Sequence, residues 1–376
     1  MSGQLTRSDE LSAIVDSFQP GIVHAIGYGS GVFVQQSSTQ TRPGGGAADH
    51  KTTSPPDDQP MIDLILTVSD SKAFHRHMLE LFPDHYSALA RVCGPTFCTN
   101  LQRSERYGAG VYFNPLVESP VTTLSTCANS SGCKRKIKYG IVQTEDLVDD
   151  LMNWRWLYLA GRMQKPTVNV DGLGECDRIA LAQKQNLDMA VAASLLLLGG
   201  SRSSDSSAAQ TLQTYPLTSL FEQIAGLSYA GDPRMDVGGE DPDKVSKLVR
   251  SDGQEGRFYD LYKQSMANLQ DVGVLDVVGA STGSSRLGTV AIDLDDDATR
   301  RHLWESLPKR VNQGTCYNGV GIETRQTSAQ YLSKCLVDIV RPAARKQSLK
   351  GILTAGIVKS VQYAAAKFAK GAFRSG

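Results

Sequence analysis

The apolar residues of this chain come in short blocks. The longest, Met189–Leu198 (MAVAASLLLL), runs ten residues with a serine inside, against the roughly 20 that a membrane-spanning helix needs. No spanning helix is expected. Polar, low-complexity stretches cut the other blocks apart. Residues 35–60 are rich in Ser, Thr, Gly, Pro and Asp, 119–133 and 201–214 are similar, and 279–288 is a Gly/Ser loop. Such segments bury too little apolar surface to order themselves and read as surface insertions. A chain of 376 residues cut in this way is expected to hold two domains or three small ones. The seven cysteines are an odd number, which points to reduced thiols rather than a disulfide framework. The intervals among Cys93, Cys98, Cys127 and Cys133 are wrong for the usual zinc spacing. The N-terminus carries Asp9, Glu10 and Asp16, a pattern of neither a secretory signal nor a transit peptide.

Between the insertions the periodicity is readable. Ile22–Gln35 predicts a glycine turn followed by a short strand, GVFVQ. Met61–Ser69 is apolar and β-branched, a buried strand. Asp70–Phe82 reads as a helix capped by Asp70 or Ser71. Ala109–Asn114 and Lys136–Gln143 read as two further strands. From Thr144, a candidate N-cap, Leu147, Leu151, Trp154 and Tyr158 recur at helical spacing and predict one continuous helix. The expected fold class is α/β (α+β): a mixed domain over 1–166, a mostly helical region over 167–270, a connecting region over 271–340 and a basic tail over 341–376.

The chemistry concentrates in the first half. A glycine turn, Gly29-Ser30-Gly31, lets backbone N–H groups approach phosphate oxygens with no side chain in the way. The strand after it carries Asp63, a carboxylate that can hold Mg²⁺ among nucleotide oxygens. This arrangement resembles the polymerase-β-like nucleotidyltransferases. Those enzymes carry two carboxylates two residues apart, whereas Leu64 and Ile65 follow Asp63 here. The other reading of Asp63 is a salt bridge to a core Arg or Lys. Asp293–Asp297 (DLDDD) has the missing spacing, but no glycine-serine turn precedes it, and it reads as the acidic start of a helix.

Several motifs in order then resemble one family: YGSGVF (28–33), IDLILTVSD (62–70), FH (74–75), HYS (85–87), YGAGVYFNP (107–115), KYGIV (138–142), DLVDDLMNWRWLYLAGRMQKP (146–166), FEQIAGLSYAGDPRM (221–235) and IVRPAARKQSLKGILTAG (339–356). They look like the mitochondrial CDP-diacylglycerol synthases, the phosphatidate cytidylyltransferases also named for mitochondrial translocator assembly and maintenance. The resemblance implies cytidylyl transfer from CTP to phosphatidic acid, with Mg²⁺, feeding phosphatidylglycerol and cardiolipin synthesis. It implies a nucleotidyltransferase domain followed by a helical, winged-helix-like domain, placed peripherally on the matrix side of the mitochondrial inner membrane. Two other readings compete: a non-catalytic membrane scaffold for protein import, and a nucleotidyltransferase acting on another acceptor.

Within that reading, Gly29, Ser30 and Gly31 are expected at the CTP phosphates, and Asp63 at the metal and in catalysis. Lys138 would neutralise charge on the α-phosphate or the departing diphosphate; its alternative is a strand-edge solubilising lysine. Arg162 and Lys165 are candidates for the triphosphate or the lipid phosphate, or simply favourable charges at a helix C-terminus. Asp146, Asp149 and Asp150 offer a second carboxylate, with Asp146 the expected metal ligand. Acids are also expected at a helix start. Tyr112 and Asn114, with His85 and Tyr86, are candidates for the nucleotide or substrate pocket, against ordinary core packing. Asp232 and Arg234 either face the cleft or form a capped turn. Trp154 and Trp156 are expected in packing.

The chain's 39 Lys+Arg and 39 Asp+Glu cancel, which excludes a surface that is basic throughout. The last 36 residues nevertheless hold eight basic and no acidic residues, leaving residues 1–340 at −8. On a helical wheel Lys359, Lys370, Arg374 and Lys367 fall within an arc of about 80°, with most apolar residues opposite. A basic amphipathic helix of this kind suits an anionic bilayer surface, and Arg345, Lys350, Lys359, Lys367 and Lys370 are its expected membrane contacts. Positive charge gathered in the tail, rather than on the first domain, argues against a nucleic-acid partner. The alternative is a tail helix packed on its own domain.

Overall fold

The computed structural model describes residues 7–33, 60–121, 135–173, 176–200, 212–236, 243–279, 288–312 and 323–355. Helix α1 (Arg7–Asp16) leads into β1 (Ile22–Tyr28). Next come β2 (Ile62–Val68), α2 (Ser71–Leu81), α3 (Ala88–Arg103), β3 (Val111–Glu118) and β4 (Lys136–Gln143). Then α4 (Thr144–Asn153), α5 (Leu159–Met163) and the two-residue β5 (Val168–Asn169) follow. The second half holds α6 (Asp177–Gly200), β6 (Gln213–Pro216), α7 (Leu217–Gly226), α8 (Pro233–Asp236), α9 (Lys244–Arg250) and α10 (Gln254–Asp271). It ends with β7 (Leu275–Val278), β8 (Thr289–Ile292), α11 (Asp297–Glu305), α12 (Lys309–Asn312) and α13 (Arg325–Ala355).

The first sheet has the order β3-β4-β2-β1-β5, with β2 and β4 parallel and the other pairs antiparallel. Side chains alternate between its faces with period two. Ala25, Leu64, Leu66, Tyr112, Tyr139 and Ile141 bury into one core with α1, α2 and α3. Ile26, Tyr28, Ile65, Val111, Phe113 and Val142 bury into a second core with α4 to α7. Helix α6 is apolar nearly all round over its second half, Met189–Leu198, as a buried helix segment must be. It packs against α4, α7, α10, α11 and α13. The antiparallel sheet β6-β8-β7 closes the second half. Among the described residues no helix is long and apolar enough to cross a membrane.

Local chemistry explains most boundaries. Asp70 caps α2, its carboxylate accepting from the N–H groups of Lys72 and Ala73. Asp296 caps α11, and Asp293 accepts from Asp295 and Asp296 N–H, so the acidic run is a helix start. Four expectations are corrected. The strand lies before the glycine turn, as β1, and Gly31–Phe33 belong to the turn. The helix from Thr144 ends at Trp154, which adopts a left-handed conformation (φ 48°). The boundary at 270 cuts a unit, because β7 and β8 pair with β6 from before it. The boundary at 340 lies inside α13.

That last correction moves Lys350. It was expected on a membrane-facing surface, but it is 2 % exposed, and its Nζ donates to Leu101 O on α3 at 3.1 Å. Burial pushes its pKa down to about 7. Arg345, on the same helix, is exposed. Lys359, Lys367 and Lys370, like Cys127 and Cys133, lie outside the described residues.

Candidate active site

Register sets the site. Tyr28 pairs with Asp63 across β1 and β2, and Asp63 with Lys138 across β2 and β4. The three residues form a row across the sheet. Lys138 Nζ lies 3.4 Å from Asp63 Oδ1, each side chain being one-fifth exposed, and 4.9 Å over the Phe113 ring. Both readings of Asp63 therefore meet here: it has a lysine partner, yet the pair keeps contact with solvent.

The glycine turn closes on this row. Gly29 has φ +78°, and a Cβ on it would sit 3.4 Å from Asp63 Oδ2. A Cβ on Gly31 would overlap Met61 O at 1.9 Å, so any larger residue would push the turn off β2. Ser30 is exposed at the tip. Arg135 ties this end together. Its guanidinium donates to Gly31 O and Pro60 O and pairs with Glu10 at 3.2 Å.

The opposite wall comes from the loop after α4. Buried Asp150 accepts five backbone N–H groups, from Trp156 to Ala160, at 2.7–3.1 Å. Burial pushes its carboxyl above the usual Asp range despite these donors. This knot breaks the expected long helix and aims α5 back at the sheet. Arg162 then lies 4.2 Å over the Tyr28 ring, near enough to feel the charge of Asp63. Its Nε and the Tyr28 hydroxyl are buried with no hydrogen-bond partner among the described residues. Orphaned polar atoms at a cleft are what a bound polar ligand satisfies. Burial pushes the Tyr28 hydroxyl up to about 12 against the pull of Arg162 and Lys138. Lys165 donates to Gly161 O and Ser228 Oγ at 2.6 and 2.9 Å. Burial, then repulsion from Arg162 and Lys244, holds it well below the ordinary lysine range. Tyr229 carries the ammonium groups of Lys165 and Lys244 near its ring, at 5.0 and 5.2 Å. A cleft is lined by Tyr158, Arg162, Lys165, Ser228, Tyr229 and Asp232. Asp232 is clamped by Arg234 and accepts its backbone N–H as well, so the turn is capped and also lines the cleft.

Gly29, Ser30, Gly31, Asp63, Lys138, Arg162 and Lys165 are thus brought to one region, and the other nucleotide and metal candidates are not. Tyr112 and Asn114 lie on the opposite face, fully buried. Tyr112 packs on His75 and Tyr86. His85 bonds Tyr139 and His75 lies between Tyr86 and Gln102, all on that face. Asp146 lies beyond the far end of β4, five residues of strand from Lys138, or roughly 16 Å at strand rise. There it pairs with Arg103 at 2.8 Å and cannot share an ion with Asp63. Asp149 pairs with Arg155. Among the described residues no three His, Cys, Asp or Glu side chains gather as a metal site. Trp154 packs in the second core and donates to Asn186.

Tyr158, Ser228 and Tyr229 were missed as cleft residues, and Tyr28 and Lys244 as their neighbours. Only Tyr28 carried a signal, as the residue that enters the glycine turn. The others needed the second half folded over the sheet.

A family profile described as "Phosphatidate cytidylyltransferase, mitochondrial" matches residues 11–370. Curated proteins of that name resemble this chain over nearly its whole length. The one from Drosophila melanogaster is 34 % identical over 93 % of this chain and 94 % of its own. The one from Bos taurus is 34 % identical over 95 % and 92 %, and that of Mus musculus 32 % over 96 % and 94 %. The class is therefore that of the cytidylyltransferases. The chain belongs to the mitochondrial phosphatidate cytidylyltransferase family.

Proposed function

We propose that this protein transfers a cytidylyl group from CTP to phosphatidic acid, giving CDP-diacylglycerol and diphosphate. We place it in the mitochondrion, peripherally on the matrix side of the inner membrane. The observation that carries the reading is the in-register Asp63–Lys138 pair under the Gly29–Gly31 turn, faced by Arg162. On this reading the first sheet is a polymerase-β-like nucleotidyltransferase core. The helices and small sheet after it form a winged-helix-like partner.

A phosphate oxygen of phosphatidic acid attacks the α-phosphorus of CTP. The new P–O bond forms as the bond from that phosphorus to the bridging oxygen breaks, and the electron pair leaves with diphosphate. The nucleophile is already anionic near neutral pH, so no strong general base is needed. The chain's work is positioning and charge neutralisation. The glycine turn cradles phosphates with backbone N–H groups, Lys138 offsets charge beside Asp63, and Arg162 with Lys165 holds anionic oxygens across the cleft. Mg²⁺ fits this site, since it accepts one carboxylate and takes its other ligands from waters and phosphates. Asp63 would hold it, and it would supply charge neutralisation on the triphosphate. The tail, with exposed Arg345 and with Lys359, Lys367 and Lys370, supplies the attraction to anionic lipid.

The test is purified protein with labelled CTP, phosphatidic acid vesicles and Mg²⁺. CDP-diacylglycerol should form, and Asp63→Ala should abolish it. Normal turnover by Asp63→Ala would overturn the role of Asp63. No turnover by the unaltered protein would favour a scaffold.

A further inference from the structure

One helix outside the site carries surface that the reaction does not use. At the start of α3, Leu89, Val92 and Cys93 share one face at i, i+3 and i+4, and all three are exposed. Val92 is 86 % exposed and Leu89 46 %, and Leu81 at the end of α2 is 54 % exposed. Leaving such side chains in water is unfavourable relative to burying them. The face ends at Gly94, whose φ of +75° kinks the helix before Pro95.

Two further observations say what meets this face. The first is its end of the sheet. His85, just before Ser87 caps α3, bonds Tyr139, the residue after Lys138. With Arg103, at the other end of α3, paired to Asp146 beyond the far end of β4, the α3 start lies toward the end of the sheet that bears Asp63 and Lys138, on the other side. The second is the course of α13. Lys346 donates to Glu105 O, just past α3, and Lys350 to Leu101 O in its last turn: four residues forward on α13 match four residues back along the chain. Continuing that pairing brings Ala355, the end of α13, level with Thr96, beside the kink. The 21 residues that follow hold four basic and no acidic residues.

We infer that the α3 start, through Leu89 and Val92, is an apolar contact with an anionic bilayer, working together with the basic segment that begins after Ala355. The inference rests on the lipid-substrate reading above. Charge attracts the segment to anionic headgroups, and the α3 side chains enter the acyl boundary. Contact at this end brings the membrane to the end of the sheet that bears the site, which shortens the path of a lipid phosphate to Lys138 and Arg162.

The test uses the full chain and sedimentation with phosphatidylcholine vesicles, with and without phosphatidic acid. The double variant Leu89→Ser, Val92→Ser should bind the acidic vesicles about tenfold more weakly. Its KM for vesicle-borne phosphatidic acid should rise in parallel. Its KM for CTP, its turnover of dispersed short-chain phosphatidate and its melting temperature should stay unchanged. The triple variant Lys359→Gln, Lys367→Gln, Lys370→Gln should weaken binding and make it less sensitive to acidic lipid. Unchanged vesicle binding by the double variant would overturn the inference. So would a dimer of the unaltered chain that the double variant splits, since the face would then join two copies. If the unaltered chain binds vesicles through Leu89 and Val92 but turns over no CTP, the functional reading fails and this one stands.

Discussion

The two faces of the first sheet hold similar polar side chains and use them in opposite ways. On the α2/α3 face, His75, His85, Tyr86 and Tyr139 are bonded to one another or to Gln102 and form the closed set, with the Tyr112 hydroxyl and the Asn114 amide buried beside them without a hydrogen-bond partner among the described residues. On the cleft face, the Tyr28 hydroxyl and Arg162 Nε are buried unpaired, and Asp63 and Lys138 stay open to solvent. A buried polar network that closes on itself holds a fold together. A set left open toward a cleft costs stability and is retained for what binds there. The difference is one of parity, since neighbouring residues on one strand, Lys138 and Tyr139, belong to opposite programmes.

Substitutions can break or sharpen this contrast. The largest effect is expected at Asp63: Asp63→Ala should lower CDP-diacylglycerol formation about a thousandfold with little change in melting temperature. On the closed face, His75→Ala should cost on the order of 3 kcal/mol in denaturant titration while leaving turnover per folded molecule intact. Burial holds His75 down to about 4, so it stays neutral in the fold where the unfolded chain takes up a proton. Its contribution should be lost as pH falls from 6.5 toward 4, and His75→Ala should flatten that stretch of the stability profile. Lys138→Met should cost about a hundredfold in turnover and little stability; a variant that unfolds but turns over normally would erase the contrast. Lys350 is buried on the closed side, with a folded pKa of about 7. Between pH 7 and 10.5 the unfolded chain binds more protons there, so stability should rise with pH across that window. Lys350→Met should remove the slope and stabilise the protein at pH 7 by on the order of 2 kcal/mol. The smallest effect is expected from Tyr112→Phe, under about 1 kcal/mol with normal turnover; a large loss of CTP affinity would return Tyr112 to the nucleotide site.

Much of the site's own strand pair was legible. Lys136–Gln143 is a strand at its expected bounds, and Asp70 caps the expected helix. Both signals are local: β-branched alternation, and a short polar side chain before an amphipathic run. What failed depended on tertiary partners. The apolar spacing through Trp154 is helical, but Asp150 captures five N–H groups and turns the chain. Tyr112 and Asn114 lie near Lys138 in the sheet, and only the β3–β4 register shows that they face away. Helix α3 was not anticipated, because Gly94-Pro95 interrupts it. The cationic look of 341–376 concealed a buried Lys350, since charge counting does not see which face of a helix packs.

The clamp at Arg135 bears on how this chain can change over evolution. It binds Gly31 and Pro60, near the two ends of the first long polar insertion, and its own carbonyl accepts from Ser119 N–H at 2.8 Å, near the start of the second. The ends of both insertions thus meet at one residue, the first at its guanidinium and the second at its backbone. Closing a longer loop between ends already held adds only about 0.6 kcal/mol per doubling of length. The insertions are therefore free to grow or shrink among relatives without shifting Asp63, so length variation in this family should collect there while Glu10 and Arg135 change together.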